Sequence, residues 1–240
     1  MSLRVGLAIP LLDEGPLVSS VAAAFLHVAD DHELDLHLCL VDNGSSDDTR
    51  ARVQALACAE SRISGVYLDQ NAGYGGGILA GVRHLVADLD PDLVGWAWGD
   101  GQVDPAVLPA LVAAFKDDIM LAKARRVERR DGWRRQLVTT VYAATVRALG
   151  VQTPDVNGCP KLMRREAWAA LDPQSTDWFL DPEVILGAEE RAWGIADAPV
   201  VMTPRRAGRS KVSWTTVAEF VDHLVRWQGG WRPGPRSDLS

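Results

Sequence analysis

The residues best suited to metal chemistry follow the apolar segment "LVGWAW". Asp100 and Gln102 occupy alternate positions just after it, so that both oxygen-bearing side chains could reach one ion. Such oxygens suit Mg²⁺ or Mn²⁺, which take one or two protein groups and leave other positions to substrate phosphate and water. The alternative is a surface turn in which Asp104 caps the helix that follows. We predict that Asp104 is the cap and that Asp100 and Gln102 are the metal ligands.

A second polar segment, "VDNGSSDDT", begins with Asp42 at the end of an apolar run. Asn43 and Gly44 suit a tight turn, and Ser46 or Asp47 suits the cap of a following helix. The segment is either an ordinary connection or a site at which Asp42 accepts hydrogen bonds from the base or ribose of a nucleotide. The segment alone leaves both interpretations open.

The segment "NAGYGGG" has enough backbone freedom to approach a ligand closely. It is not a dinucleotide-binding fingerprint, because the third glycine position falls on Ile78 when counting starts at Gly73. It is not a phosphate-binding P-loop either, since no Gly-Lys-Ser/Thr follows. By itself it indicates only a flexible turn.

Short apolar segments alternate with helical patterns through the first half of the chain. This alternation predicts an α/β fold, with a mainly parallel central sheet flanked by helices. Ligands of such sheets bind at the carboxyl ends of the strands, where the polar segments above lie. We predict one domain over residues 1–228 and a flexible tail over 229–240. The apolar segments and the helices predicted after them are "RVGLAI" and Leu17–His27, "LHLCLV" and Asp47–Ala59, "GVYL" and Gly75–Ala87, and "LVGWAW" and Ala106–Phe115.

The second half of the chain is less regular. Its "TPDVNGCPKLMRRE" segment is interrupted by proline and glycine. The predicted elements are helices over Gln136–Leu149, Glu183–Arg191 and Val217–Trp227 and a strand in "IADAPVVM".

Composition excludes several classes of protein. The 240 residues carry a net charge of −7, which argues against a nucleic-acid-binding protein. The three cysteines form no pair with the spacing of a zinc site. No secretion signal and no run of ~20 apolar residues is present. We expect a cytoplasmic protein that makes at most peripheral contact with the inner membrane face; its oligomeric state stays open.

Basic residues are numerous for an acidic chain, and arginine is well shaped to bind phosphate. Most charged runs are solvated surfaces, but a subset of these basic residues close to Asp100 and Gln102 would form a site for an anionic substrate. The candidates for phosphate or acceptor binding are Arg125, Arg134, Arg206, Arg209 and Lys211.

Taken together, these segments resemble glycosyltransferase family 2, and within it the dolichyl- or polyprenyl-phosphate sugar transferases. The family's opening Pro-x-x-Asn-Glu corresponds to Pro10, Asp13 and Glu14, and its "vDdgSsDgT" loop to residues 42–49. Its "N.G.g.a...G" segment corresponds to residues 71–81, beginning with Asn71 and Gly73. The resemblance implies a GT-A fold and a donor site for a UDP- or GDP-linked sugar. The implied donor-binding residues are Pro10, Asp13, Glu14, Asp42, Gly44, Asn71, Gly73 and Asp100.

The resemblance extends to the metal loop and to the second half of the chain. Asp100 and Gln102 match the second acid and the glutamine of the family's "DaDlqhpp", whereas Trp98 replaces its first acid. The family's "D.dcGFkL.rre" is similar to "DVNGCPKLMRRE", with Cys159 and Pro160 in place of Gly-Phe. Its late "R.aGkSk" matches residues 206–211, which adds Ser210 to the implied acceptor site.

The resemblance implies an inverting, Mg²⁺- or Mn²⁺-assisted transfer of sugar to a polyprenyl-phosphate acceptor, with Asp100 as a catalytic residue. The alternative is transfer to a soluble hydroxyl, which needs a carboxylate base, and Asp181 or Glu183 in "FLDPEV" could supply it. A nucleotidyltransferase is disfavoured, because "IPLLDEG" lacks the basic glycine-rich loop of that class. A non-catalytic nucleotide-binding domain is a further alternative, because Trp98 replaces the first acid of the family's metal loop.

Overall fold

The computed structural model describes residues 3–116, 118–128, 151–202, 222–223 and 225–234. These residues form a seven-stranded sheet with helices on both of its faces. The strands are β1 (Arg4–Leu11), β2 (Asp35–Asn43), β3 (Ile63–Leu68), β4 (Leu93–Trp96), β5 (Ile119–Glu128), β6 (Lys161–Arg164) and β7 (Gly194–Val201). The helices are α1 (Gly15–Asp31), α2 (Thr49–Ala59), α3 (Gly73–Leu89), α4 (Leu108–Ala113), α5 (Arg165–Leu171) and α6 (Leu180–Glu190), with a 3₁₀ turn at Pro105–Val107 before α4.

The strand order is β3-β2-β1-β4-β6-β5-β7. Strand β6 is antiparallel to both of its neighbours, and every other pairing in this sheet is parallel. The predicted α/β class with a mainly parallel sheet is therefore confirmed. The carboxyl ends of β1, β2 and β4 lie side by side, which brings the loops after them to one edge of the sheet.

Alternate residues of each strand supply the two hydrophobic cores. In β2, Leu38 and Leu40 pack with α1 on one face, while Cys39 and Val41 pack with α3 on the other. Successive side chains of a strand point to opposite faces, so a strand covered on both sides is apolar throughout. This explains the uninterrupted apolar run from Leu38 to Val41.

The elements of the second half only partly follow the sequence pattern. Strand β5 runs into the basic sequence "KARRVERRDGWRR", which begins at Lys123. Strand β6 and helix α5 occupy a stretch for which no element was predicted. Strand β6 was missed because it has four residues, follows Pro160, and begins with a fully buried lysine, Lys161. The predicted helix over 136–149 lies outside the described residues, and of the one over 217–227 only 222–223 and 225–227 are described, all of them helical.

Within the described part of the chain, no helix is long and apolar enough to cross a membrane. The single domain over 1–228 stays a prediction, as does the flexible tail over 229–240, of which residues 229–234 are described.

Candidate active site

The loops after β1 and β2 are bound to each other by the predicted donor-binding residues. Asp13 accepts hydrogen bonds from the backbone N–H of Ser46 at 2.7 Å and from its hydroxyl at 3.0 Å. The backbone N–H of Glu14 donates to the Thr49 hydroxyl at 3.0 Å. Pro10 lies in register with Val41 near the ends of their strands. These contacts fix the two loops as one surface at the sheet edge.

Asp42 lies at the base of this surface and is fully buried. One carboxylate oxygen accepts the backbone N–H of Ser45 at 3.1 Å, and the other accepts Nε of Arg50 at 2.8 Å. A nucleoside contact, the role predicted for Asp42, would have to be made by oxygens that already accept these bonds. That role stays a prediction.

Asn43, which was not predicted to be functional, joins β2 to the start of α3. Its amide donates to the Gly73 carbonyl at 2.9 Å, and its oxygen accepts the Ala72 backbone N–H at 3.0 Å. Asn71 accepts the Gly73 backbone N–H at 2.9 Å, while its own side chain is exposed. The predicted Asn71 and Gly73 therefore lie beside the loop that carries Asp42 and Gly44.

Gly44 has a φ of +73°, and a Cβ built there would lie 2.5 Å from the Gln70 carbonyl carbon. We expect Gly44→Ala to lower the free energy of unfolding by about 2–4 kcal/mol, from left-handed strain plus a backbone clash. Gly101→Ala is the matched control, because its φ is +68° but its nearest atom is 3.9 Å away. The measurement is urea denaturation of both variants. Equal losses of stability would contradict the clash at Gly44.

Asp100 follows β4 and lies beside these loops at the edge of the sheet. It is 8% exposed, and its carboxylate accepts the Gln102 backbone N–H at 3.1 Å. Asp104 accepts the Ala106 backbone N–H at 3.0 Å, so the predicted helix cap is confirmed.

Asp181 belongs to a buried polar network on the α3 side of the sheet. It is 1% exposed and accepts the Lys161 ammonium at 2.5 Å, the Trp96 indole at 3.2 Å and the Tyr74 hydroxyl at 3.0 Å. Burial, reinforced by the Asp181 charge, raises the pKa of Tyr74 well above its ordinary value. The phenol therefore stays protonated, donating to Asp181 and accepting the Trp98 indole N–H at 3.1 Å.

Glu183 holds the segment that precedes α6. Its two carboxylate oxygens accept the backbone N–H groups of Gln174 at 2.9 Å and Ser175 at 2.8 Å. The next residue, Thr176, accepts the Gly76 backbone N–H at 2.9 Å, and a Cβ at Gly73 would lie 2.4 Å from the same carbonyl oxygen. The lack of a side chain at Gly73 and Gly75 therefore permits close backbone contact with this segment.

Burial raises the pKa of Glu183, although the Ser175 and Gln174 hydrogen bonds partly oppose the shift. The folded state therefore binds this proton more tightly than the unfolded state, and stability should fall as pH rises from the ordinary to the raised pKa. The slope is at most about 1.4 kcal/mol per pH unit. We expect Glu183→Gln to remove it in urea denaturation from pH 4 to 7. An unchanged slope would contradict the assignment to Glu183.

Arg126, the neighbour of the predicted Arg125, lies over Trp98, two residues before Asp100. Its guanidinium carbon is 5.7 Å from the Trp98 ring centroid, and it forms an ion pair with Asp155. Burial opposes ionisation of Asp155, but the Arg126 hydrogen bonds and charge outweigh it and lower the pKa. Arg125 lies 3.5 Å from Asp197 and is 42% exposed. The other predicted acceptor residues, Arg134, Arg206, Arg209, Ser210 and Lys211, lie outside the described residues.

The oxygen-bearing side chains of Asp100 and Gln102 are of the type that suits a hard divalent cation held by few protein groups. Among the described residues, no three His, Cys, Asp or Glu side chains form a group that could hold a metal. A metal held through Asp100, with Gln102 as a second oxygen donor, would therefore need substrate phosphate and water for its remaining positions. Mg²⁺ accepts this arrangement.

The fold and this strand-end site define a class of protein. Residues 7–171, more than half of the chain, match the model of glycosyl transferase family 2. The chain therefore belongs to glycosyltransferase family 2.

The chain is similar to two sequence relatives and one solved structure. The chain is 26% identical over 223 residues to the undecaprenyl-phosphate 4-deoxy-4-formamido-L-arabinose transferase of Sodalis glossinidius, covering 92% of this chain and 67% of that protein. It is 25% identical over 209 residues to the polyprenol monophosphomannose synthase of Mycolicibacterium smegmatis, covering 80% of this chain and 76% of that protein. Glucosyl-3-phosphoglycerate synthase from Mycobacterium tuberculosis, crystallised with Mn²⁺, UDP and glucosyl-3-phosphoglycerate, matches with a TM-score of 0.69 and 22% identity, covering 98% of this chain and 82% of that one. The predicted GT-A fold is confirmed.

Proposed function

We propose that the protein is an inverting, metal-assisted glycosyltransferase that moves a sugar from a UDP- or GDP-linked donor to a polyprenyl-phosphate acceptor. Its place would be the cytoplasm, in peripheral contact with the inner membrane face. Family membership and the names of the two sequence relatives support this proposal.

The proposed donor site is the surface formed by the loops after β1, β2 and β3. Its residues are Pro10, Asp13, Glu14, Asp42, Gly44, Asn71 and Gly73. Asp100, with Gln102, would hold Mg²⁺ or Mn²⁺ against the donor diphosphate. When bound, the metal would neutralise charge on the departing nucleoside diphosphate.

The contacts of Asp181 and Glu183 favour a phosphate acceptor over a hydroxyl acceptor. A hydroxyl acceptor needs a carboxylate base within hydrogen-bond reach, whereas a phosphate acceptor brings an oxygen that is already ionised near neutral pH. Asp181 is buried and accepts three hydrogen bonds, one of them from the Lys161 ammonium. Both oxygens of Glu183 accept backbone N–H groups. We therefore propose that both acids position other groups, in place of the catalytic role predicted from the sequence.

A phosphate acceptor would instead need cations to orient it. We keep Arg125, Arg134, Arg206, Arg209, Ser210 and Lys211 as the proposed acceptor-binding residues. Arg126 joins them as a candidate, because its guanidinium lies over Trp98, two residues before Asp100.

The test is a transfer assay with radiolabelled UDP- and GDP-sugars and Mn²⁺, using a short-chain polyprenyl phosphate, the same lipid as free alcohol, and 3-phosphoglycerate. We expect product only with the polyprenyl phosphate. Transfer to 3-phosphoglycerate or to the alcohol, but not to the phosphate, would contradict the proposed acceptor. No transfer and no stabilisation by any nucleotide in a thermal-shift assay would contradict the enzyme function.

A further inference from the structure

Trp98 is held from two directions by residues of other elements. Its indole N–H donates to the Tyr74 hydroxyl of α3 at 3.1 Å. The guanidinium carbon of Arg126, from β5, lies 5.7 Å from its ring centroid. Arg126 is itself fixed by its ion pair with Asp155. Both the edge and the face of the indole therefore have defined partners.

The Tyr74 hydroxyl that receives this bond is itself fixed. It donates to Asp181 at 3.0 Å, and Asp181 is paired with Lys161 in the core. The tyrosine ring also stacks on Trp178, with centroids 4.2 Å apart and planes 10° apart. A rigid aromatic and ionic network thus sets the position of Trp98.

The backbone from Trp98 to Asp100 has little freedom to absorb a movement of the indole. The neighbouring Ala97 backbone N–H donates to the Ala8 carbonyl at 2.9 Å. Gly99 is packed so closely on β1 that a Cβ there would lie 2.4 Å from Leu11 Cδ2. A shift of the indole would therefore be passed along a short, packed segment to Asp100.

We propose that Trp98 is a positioning residue for Asp100: its hydrogen bond to Tyr74 sets where the Asp100 carboxylate meets a divalent metal and the donor diphosphate. The inference rests on the proposed function and assigns a role to the residue that stands where the family has an acid. It identifies the Tyr74 hydroxyl and the Trp98 indole N–H as one functional pair.

The test measures Mn²⁺ affinity in the presence of UDP, and separately of GDP, from the free-Mn²⁺ signal in electron paramagnetic resonance. The proteins are the wild type, Trp98→Phe, Tyr74→Phe and the double variant. Loss of one hydrogen bond predicts an affinity about fivefold weaker in each single variant. The double variant should be no weaker than Tyr74→Phe, because both deletions remove the Trp98–Tyr74 bond and only Tyr74→Phe also removes the bond to Asp181. Unchanged affinity in the single variants, or additive losses in the double one, would overturn the proposal.

Trp96→Phe is the matched control, because it removes the indole donor to Asp181 and leaves the hydrogen bond from Trp98 to Tyr74 in place. We expect it to lower the unfolding temperature and to leave Mn²⁺ affinity unchanged. An equal loss of affinity would mean general loosening of the core and would overturn the positioning role. If the wild type binds no Mn²⁺ with either nucleotide, both the proposed function and this inference are wrong. If the wild type binds Mn²⁺ and the variants bind it equally well, only this inference is wrong.

Discussion

Replacing Asp100 with asparagine should lower sugar transfer by about a hundred- to a thousandfold while the protein stays folded. Asparagine keeps the size of the side chain and an oxygen that can accept the Gln102 N–H, now at 3.1 Å. It removes the negative charge that would hold the metal, and loss of metal stabilisation is worth several kcal/mol in the transition state. The measurement is kcat/KM for the nucleotide sugar over a Mn²⁺ titration.

Asp104→Ala is the control for this variant, because Asp104 lies in the same loop but caps the turn at Pro105–Val107. It should cost about 1 kcal/mol of stability and leave transfer near the wild-type rate. Near-normal turnover of Asp100→Asn, with an unchanged Mn²⁺ response, would contradict the metal role.

Replacing Lys161 with methionine should lower the free energy of unfolding by about 3–5 kcal/mol, the cost of leaving a buried carboxylate without its partner charge. Lys161 is fully buried, and its ammonium is bound by Asp181 at 2.5 Å and by the Gly158 carbonyl at 2.7 Å. Methionine fills most of the same volume, so the loss of charge dominates over the loss of packing. Urea denaturation at neutral pH measures the effect.

Arg52→Met provides the comparison, because Arg52 pairs with Asp48 at 2.8 Å on the surface of α2. An exposed pair of this kind contributes about 0–1 kcal/mol. A loss below about 1 kcal/mol in Lys161→Met as well would show that Lys161 does not neutralise Asp181 in the core.

The sequence predicted the first half of the fold well because hydrophobic periodicity is strong there. Strands β1 and β2 contain apolar runs covered on both faces, and helices α1 and α3 show clear apolar stripes. Strand β6 could not be predicted in this way. Lys161 is a charged residue at its start, and its distant partner Asp181, together with the Gly158 carbonyl, makes burial of that charge tolerable.

In the candidate site too, some features follow from local sequence and others depend on distant contacts. The position of Asp100 and the cap at Asp104 follow from local sequence, since both depend on residues within the same loop. The roles of Asn43 and Tyr74 depend on contacts with distant segments, and no local pattern signals that of Tyr74. For Asn43, the one available signal was its place beside Asp42 at a strand end, where polar side chains meet neighbouring loops.

The position of β6 also constrains how the chain can fold during synthesis. Strand β4 ends at Trp96, but one of its two neighbours, β6, comes only from residues 161–164. Until that part of a 240-residue chain leaves the ribosome, one edge of β4 has no partner in the sheet. Unpaired apolar edges invite association between nascent chains, and pairings this distant in sequence form slowly. Chaperone binding during translation would therefore matter most in the interval between completion of β4 and arrival of β6.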